Sequence, residues 1–288
     1  MKQRAGFAAA DFAAWNEAVL RVGAASGPAP IGEALVAALR VVLDFDTAFL
    51  AILRRDSAPM VPYYSVAGEP SPAYHEGPYL LDPFYNHFLA RRGEGCFRLS
   101  ELAPEGFLRS EYFSSYYRFL EIKDELGMLA AIDADTCAHV SILRQRSQIR
   151  FSKLDAAWLG ATAPIVRDAL RRMGTDAARP GGAVARKAGA LHDSLRAAYR
   201  NFGASILTER EREVVHLLLQ GNSAKAIARA LSISPDTARN HLKRIYPKLK
   251  VTSQAELFAL FFRALERVEP GFEGDPLTRL TPALTSAR

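Results

Sequence analysis

At 288 residues, with 49% hydrophobic and 24% charged residues, the chain suits two globular domains, and its composition excludes a disordered or fibrous protein. No apolar run is long enough to span a bilayer, Met1-Lys2-Gln3-Arg4 leads into no signal-like segment, and the only cysteines, Cys96 and Cys137, exclude a disulfide framework or a Cys-rich zinc site, so a reducing cytoplasm is the expected setting. The net charge of +6 divides unevenly, −3 up to Leu170 but +5 in each of 171–206 and 207–263, which suits a sensor joined to a polyanion-binding module.

In chain order, Phe12, Trp15 and Val19 recur at helical spacing, and a second helix is expected over Ile31–Leu43. Thr47–Leu53 and Met60–Val66 have the length and composition of strands, as do Leu126–Ile132 and His139–Leu143, and Asp155–Leu170 reads as a closing helix. Together these elements predict an α+β domain, a central antiparallel sheet flanked by helices, of the PAS or GAF sensor type. Between the strand pairs, from Tyr74 to Glu125, aromatic residues are dense and acids are interleaved with them. An aromatic wall with a few fixed polar groups suits a small-molecule pocket, and carboxylates among aromatics suit a cationic amine. The candidate ligand-binding residues are Tyr64, Tyr79, Asp82, Phe84, Tyr85, Phe88, Tyr116, Tyr117 and Glu125. A structural reading competes, in which the aromatics are core and the domain is a ligand-free dimerisation or protein-interaction module.

Within this stretch, Leu81-Asp-Pro-Phe-Tyr85, with Phe151-Ser-Lys-Leu and a terminal helix, is similar to the autoinducer-binding domain of quorum-sensing LuxR regulators. The resemblance implies that Asp82 receives an amide hydrogen bond from a ligand. Trp15 and Trp158, the only tryptophans, lie outside the expected pocket, which points away from a homoserine lactone and toward another small molecule. The run Tyr116-Tyr-Arg-Phe-Leu-Glu-Ile-Lys-Asp-Glu-Leu126 also resembles LuxR-type regulators with sensor domains of unassigned ligand.

Beyond residue 170, the Gly-, Pro- and charge-rich stretch 171–182 reads as a linker, with a short helix to follow on Leu191, Leu195, Ala198 and Tyr199. Helix punctuation is then dense. Thr208-Glu-Arg-Glu211 is a capping box and Gly221 a stop; Ser223 opens a second helix; Ser234-Pro235 caps a third; Ser253-Gln-Ala-Glu256 is a second box. Two short helices about a tight turn, flanked by two more, make an all-α four-helix helix-turn-helix domain. Its third helix carries inward Ala238, Leu242, Ile245 and Leu249, and outward Arg239, Asn240, Lys243 and Arg244. Leu207-Thr-Glu-Arg-Glu-Arg-Glu-Val, Gly221-Asn-Ser-Ala-Lys-Ala-Ile-Ala, Thr237-Ala-Arg-Asn-His-Leu and Ile245-Tyr-Pro-Lys-Leu-Lys-Val resemble the LuxR-type helix-turn-helix. The resemblance implies that Arg239, Asn240 and Lys243 face bases, and that Lys225, Thr237 and His241, with Arg244, lie near the backbone. It also implies a homodimer face on Leu257, Phe258 and Phe261.

Three positions depart from that pattern. Ser232 and Lys250 stand where glycine is common, and Pro247 predicts a kink or an early helix end near Tyr246. The expected organisation is therefore a ligand-sensing domain over 1–172, a linker over 173–203, the DNA-binding domain over 204–266 and a poorly ordered tail over 267–288.

Double-stranded DNA, a second copy and a small-molecule effector are the expected partners, with no membrane, cofactor or metal. No Gly-rich phosphate loop is present, and His75, His87, His139, His192, His216 and His241 show no metal-ligand spacing, which counts against an enzyme. Asp44 and Asp46 precede the first strand, unlike the acidic pair of a phospho-receiver.

Overall fold

A computed structural model describes residues 8–65, 78–114, 121–145, 150–177 and 182–280, without the side chains of 175–177 and 182–189. Tyr116 and Tyr117 lie outside the described residues.

Helices α1 (Ala9–Ala24) and α2 (Pro28–Val42) precede strands β1 (Thr47–Arg54) and β2 (Met60–Tyr64). A 3-10 turn over Pro78–Leu81, helix α3 (Pro83–Leu89), strand β3 (Gly95–Arg98) and the single turn α4 (Leu99–Leu102) follow. Strands β4 (Asp124–Ala131) and β5 (Thr136–Arg144) and helices α5 (Lys153–Ala161) and α6 (Ala163–Ala177) close the domain. The five strands form one antiparallel sheet in the order β2-β1-β5-β4-β3. The expected α+β architecture is thus present. The edge strand β3 was not foreseen, and Thr162 divides the single expected closing helix in two.

Both faces of the central strands are buried, so side chains alternate between two cores. Leu50, Ile52, Met128, Val140 and Ile142 meet α1, α2, α5 and α6, with Trp15 and Trp158 beside them. The opposite face carries Phe49, Ala51, Leu53, Leu129, Cys137 and Leu143, covered by Tyr79, Phe84, Tyr85, Leu99, Phe107 and Tyr112.

This second core does not end at the α+β domain. One apolar cluster runs from that sheet face through Leu195, Ala198 and Phe202 into the C-terminal domain. The expected linker is helix α7 (Gly182–Asn201), one residue of which, Leu191, is 36% exposed. Its buried residues include the polar His192 and Ser194 beside Leu195 and Ala198, so its inward face is not the purely apolar one that periodicity suggested.

Four helices follow: α8 (Glu209–Leu219), α9 (Ala224–Ala230), α10 (Pro235–Lys248) and α11 (Gln254–Leu265). The expected poorly ordered tail is corrected through residue 280. Asp275 accepts hydrogen bonds from the amides of Gly203 (3.0 Å) and Ser205 (2.8 Å), and Leu277 is buried. Farther back, the Ser194 hydroxyl accepts from the Gly271 and Phe272 amides. No described helix is long and apolar enough to cross a membrane.

Pro247 does not end its helix, since α10 continues to Lys248. It sits in the last turn on the exposed side, where water can satisfy the carbonyl that lacks its usual N–H partner. Ser232 (φ 53°) and Lys250 (φ 54°) both adopt the left-handed conformation that favours glycine. Ser232→Gly and Lys250→Gly are each expected to raise stability by about 0.5–1 kcal/mol. Denaturant unfolding checks this: an unchanged midpoint in both variants would contradict strain at these positions.

Candidate nucleic-acid interface and sensor site

The C-terminal helices are fixed by their caps. Thr208 Oγ1 accepts from the Glu211 amide, and Glu211 accepts in return from the Thr208 amide at 2.9 Å. Burial alone would raise the Glu211 pKa, but the Lys248 ammonium, 2.7 Å from both carboxylate oxygens, and the Thr208 donors hold it below the usual carboxylate range. This pair joins the start of α8 to the end of α10. Ser223 caps α9, and Ser234, followed by Pro235 at the first helical position, caps α10. The second expected box is shifted by one residue: Ser253 caps α11, but Glu256 accepts from the Thr252 amide (2.7 Å).

With Ala238 and Ile245 buried against α8 and α9, α10 leaves Arg239, Asn240, Lys243 and Arg244 exposed. Spacings of three and four residues put Arg239, Asn240 and Lys243 on one stripe. Arg239 is ion-paired with the exposed Asp236 one turn earlier. Thr237 is exposed, its hydroxyl 2.9 Å from that of Ser234, and His241 is half-buried. Lys225 is exposed on α9.

The expected dimer residues are placed differently. Leu257 and Phe261 are fully buried within the chain, Phe261 edge-on to Tyr199 and Phe202 at ring distances of 5.8 and 5.2 Å. The C-terminal turn Pro276–Arg279 packs on the same helix. Phe258 is only half-buried and lies 4.6 Å from the Phe262 ring, so Phe258 and Phe262, with the exposed Ala255 and Ala259, are what α11 offers to another molecule.

The remaining candidates gather on the second sheet face and its cover. Tyr64 lies on β2 opposite Phe49 (6.5 Å between rings), and burial raises its pKa. Tyr79, Phe84 and Tyr85 are 0% exposed. Phe84 lies directly over Gly127, where any Cβ would collide with its ring, and 5.1 Å from the His139 ring. The Arg55 guanidinium lies 4.6 Å above the Phe88 ring and donates to the Phe88 carbonyl (2.8 Å). Asp82, expected to meet a ligand amide, caps α3: its Oδ1 accepts from the amides of Phe84 (2.7 Å) and Tyr85 (3.3 Å). Glu125 is buried and accepts a hydrogen bond from the Ser141 hydroxyl.

The sequence reading missed the buried polar groups His139, Ser141 and His192. His139 is fully buried, and burial lowers its pKa; its alternation with Cys137 and Ser141 along β5 was the available signal. The Tyr85 hydroxyl finds no hydrogen-bond partner among the described residues, and burial pushes its pKa up to about 12. Tyr79 reaches into α7: its hydroxyl lies 2.9 Å from His192 Nδ1, with the two rings stacked. Among the described residues no cluster of His, Cys, Asp and Glu could hold a metal ion.

Residues 205–261 match the family model described as bacterial regulatory proteins, luxR family. They form a LuxR-type helix-turn-helix domain. A putative HTH-type transcriptional regulator of Aeromonas salmonicida is 29% identical over 192 residues, covering 64% of this chain and 94% of its own. The monoamine regulon transcriptional regulator of Klebsiella aerogenes is 45% identical over 53 residues, 18% of this chain and 23% of that one. Both relatives are named transcriptional regulators, not enzymes. Among solved structures, the VqsR LBD domain of Pseudomonas aeruginosa aligns over 58% of this chain and 95% of its own, at TM-score 0.46 and 22% identity.

The His192 environment has a measurable consequence for stability. Burial, and then the nearby Arg196 charge, lower its pKa to about 4, against about 6.5 in an unfolded chain. Its neutral form therefore contributes stability that is complete above about pH 6.5 and is lost as pH falls toward 4, because the unfolded chain takes up the proton first. His192→Gln should lose less melting temperature between pH 7 and pH 5 than the parent chain. An equal loss in both would contradict this assignment.

Proposed function

We propose that the chain is a dimeric, sequence-specific DNA-binding transcriptional regulator whose operator affinity is set by a small molecule held on the second face of the sensor sheet. The DNA-binding part rests on one observation above all: Arg239, Asn240 and Lys243 form an exposed stripe on the second helix of a LuxR-type helix-turn-helix. Arg and Lys match the O6 and N7 acceptors of guanine, and Asn the paired donor and acceptor of adenine. Lys225, Thr237, His241 and Arg244 serve the phosphate backbone. Dimerisation presents two such helices to two half-sites, with Phe258 as the candidate among the three expected residues that a partner can still reach. Arg239→Ala and Lys243→Ala should each weaken specific binding by about 1–3 kcal/mol. Wild-type operator affinity in both would remove them from the base-reading set.

The effector reading rests on Glu125 and Ser141, a polar pair buried beneath aromatic residues. A buried carboxylate among aromatic rings suits a cationic amine, by ion pairing and by cation–π contact. A second reading is favoured by the complete burial of Tyr79, Phe84 and Tyr85, with Phe84 packed flush on Gly127. On that reading the face is already filled, and the domain is an interaction module. A thermal-shift series over amines, acyl-homoserine lactones, amino acids and aromatic acids separates the two. The effector reading expects saturable stabilisation by amines that Glu125→Gln abolishes. No stabilisation by any class would leave the interaction module.

A further inference from the structure

The sensor domain touches the LuxR-type domain at a second place besides α7. Residues 104–110, between α4 and the Phe107–Arg109 3-10 turn, pack on the turn joining α8 to α9. A Cβ on Gly106 would lie 2.5 Å from the Gly221 carbonyl oxygen and 2.9 Å from the Ser223 nitrogen, so the two backbones are in direct contact. A Cβ on Gly221 would in turn lie 3.1 Å from Phe107 Cα and from Ser110 Cβ. Beside this contact, Glu105 of the sensor is ion-paired with Arg229 of α9.

Arg229 follows Lys225 by four residues on α9, so the two share one exposed face. In a helix-turn-helix, the helix before the recognition helix crosses the DNA backbone. We infer that Arg229 is a further phosphate-contacting residue and that Glu105 competes with DNA for it. In this arrangement the carboxylate stands where a phosphate oxygen would stand, and the Gly106 backbone occupies the approach to the same helix. The recognition stripe stays exposed throughout. The device therefore weakens backbone contact and leaves base reading intact. The pair is 63% and 52% exposed, so it is a weak tie that phosphates can displace. Residues Phe107 and Tyr112, at and just beyond the docking turn, belong to the buried cover of the sensor sheet face, so a change on that face reaches the tie directly.

The inference rests on the DNA-binding reading. Its test uses the full chain without effector and a duplex enriched by that chain from a random-sequence library. Glu105→Gln should tighten binding by about two- to fivefold, the range of an exposed ion pair. Arg229→Gln should weaken binding and reduce the slope of log affinity against log salt by about 1. In the Arg229→Gln background, Glu105→Gln should add nothing. Gly106→Val, which drives the turn off Gly221, should tighten binding without touching either charge. Unchanged or weaker binding by Glu105→Gln, or a wild-type salt slope in Arg229→Gln, would overturn the inference alone. Failure to enrich any duplex would overturn the DNA-binding reading, and this inference with it.

Discussion

Helix α7 is held at one end by the N-terminal α+β domain and at the other by the helix-turn-helix domain, and the arrangement of the molecule depends on that double seating. Toward the sensor, His192 bonds to Tyr79, and Arg196 donates to the Arg55 carbonyl at the end of β1. Toward the helix-turn-helix, His216 lies 2.8 Å from the Tyr199 carbonyl, Gln220 donates to the Tyr199 hydroxyl, and Phe202 stacks edge-on to Phe261. Between these ends Leu195 and Ala198 belong to an apolar cluster shared by both domains. Domains joined by a bare linker move independently by default; domains that share buried apolar surface do not. A change in the aromatic cover of the sheet therefore has a short, packed route to α8 and α11.

The two sheet faces divide the work. The face toward α1, α2 and α6 is almost wholly apolar and anchors the fold. The other face buries Glu125, His139 and Ser141 among aromatic rings, and these must be hydrogen-bonded to be tolerated. Glu125 and Ser141 satisfy each other across the β4–β5 ladder, and His139 lies 3.3 Å from the Met128 carbonyl. A core meant only for stability gains little from such groups, since apolar residues of equal size cost less to bury. Their concentration on one face is the feature on which the proposed effector reading rests.

How far the sequence could be read depended on whether its signals were local. The caps at Thr208, Ser223 and Ser234 are decided within four residues, and all three form as expected. Ser232 and Lys250, which stand where glycine is common, keep the left-handed backbone that glycine favours. Helix α7 was read only as a short helix after a linker, because its buried face includes His192 and Ser194, whose partners, Tyr79 and the Gly271 and Phe272 amides, are distant in sequence. The Gly- and Pro-rich tail read as poorly ordered for the same reason, although Asp275 ties it back to Gly203 and Ser205. Asp82 read as a ligand contact from a dipeptide, yet Asp-Pro is also the start of a capped helix, and that is the role its Oδ1 performs here. Leu257 and Phe261 were placed on a dimer face by resemblance alone, and the elements that cover them, α7 and the C-terminal turn, are not marked by any local signal in α11.

On the inference drawn above, DNA and the N-terminal domain compete for the side of α9 that carries Arg229. Hydrogen–deuterium exchange of the full chain, with and without its enriched duplex, tests this most directly, because exchange reports local opening segment by segment. The account predicts that DNA protects 235–248 while exchange over 104–110 rises, as the docking turn leaves Gly221. Unchanged or increased protection over 104–110 in the DNA complex would contradict it.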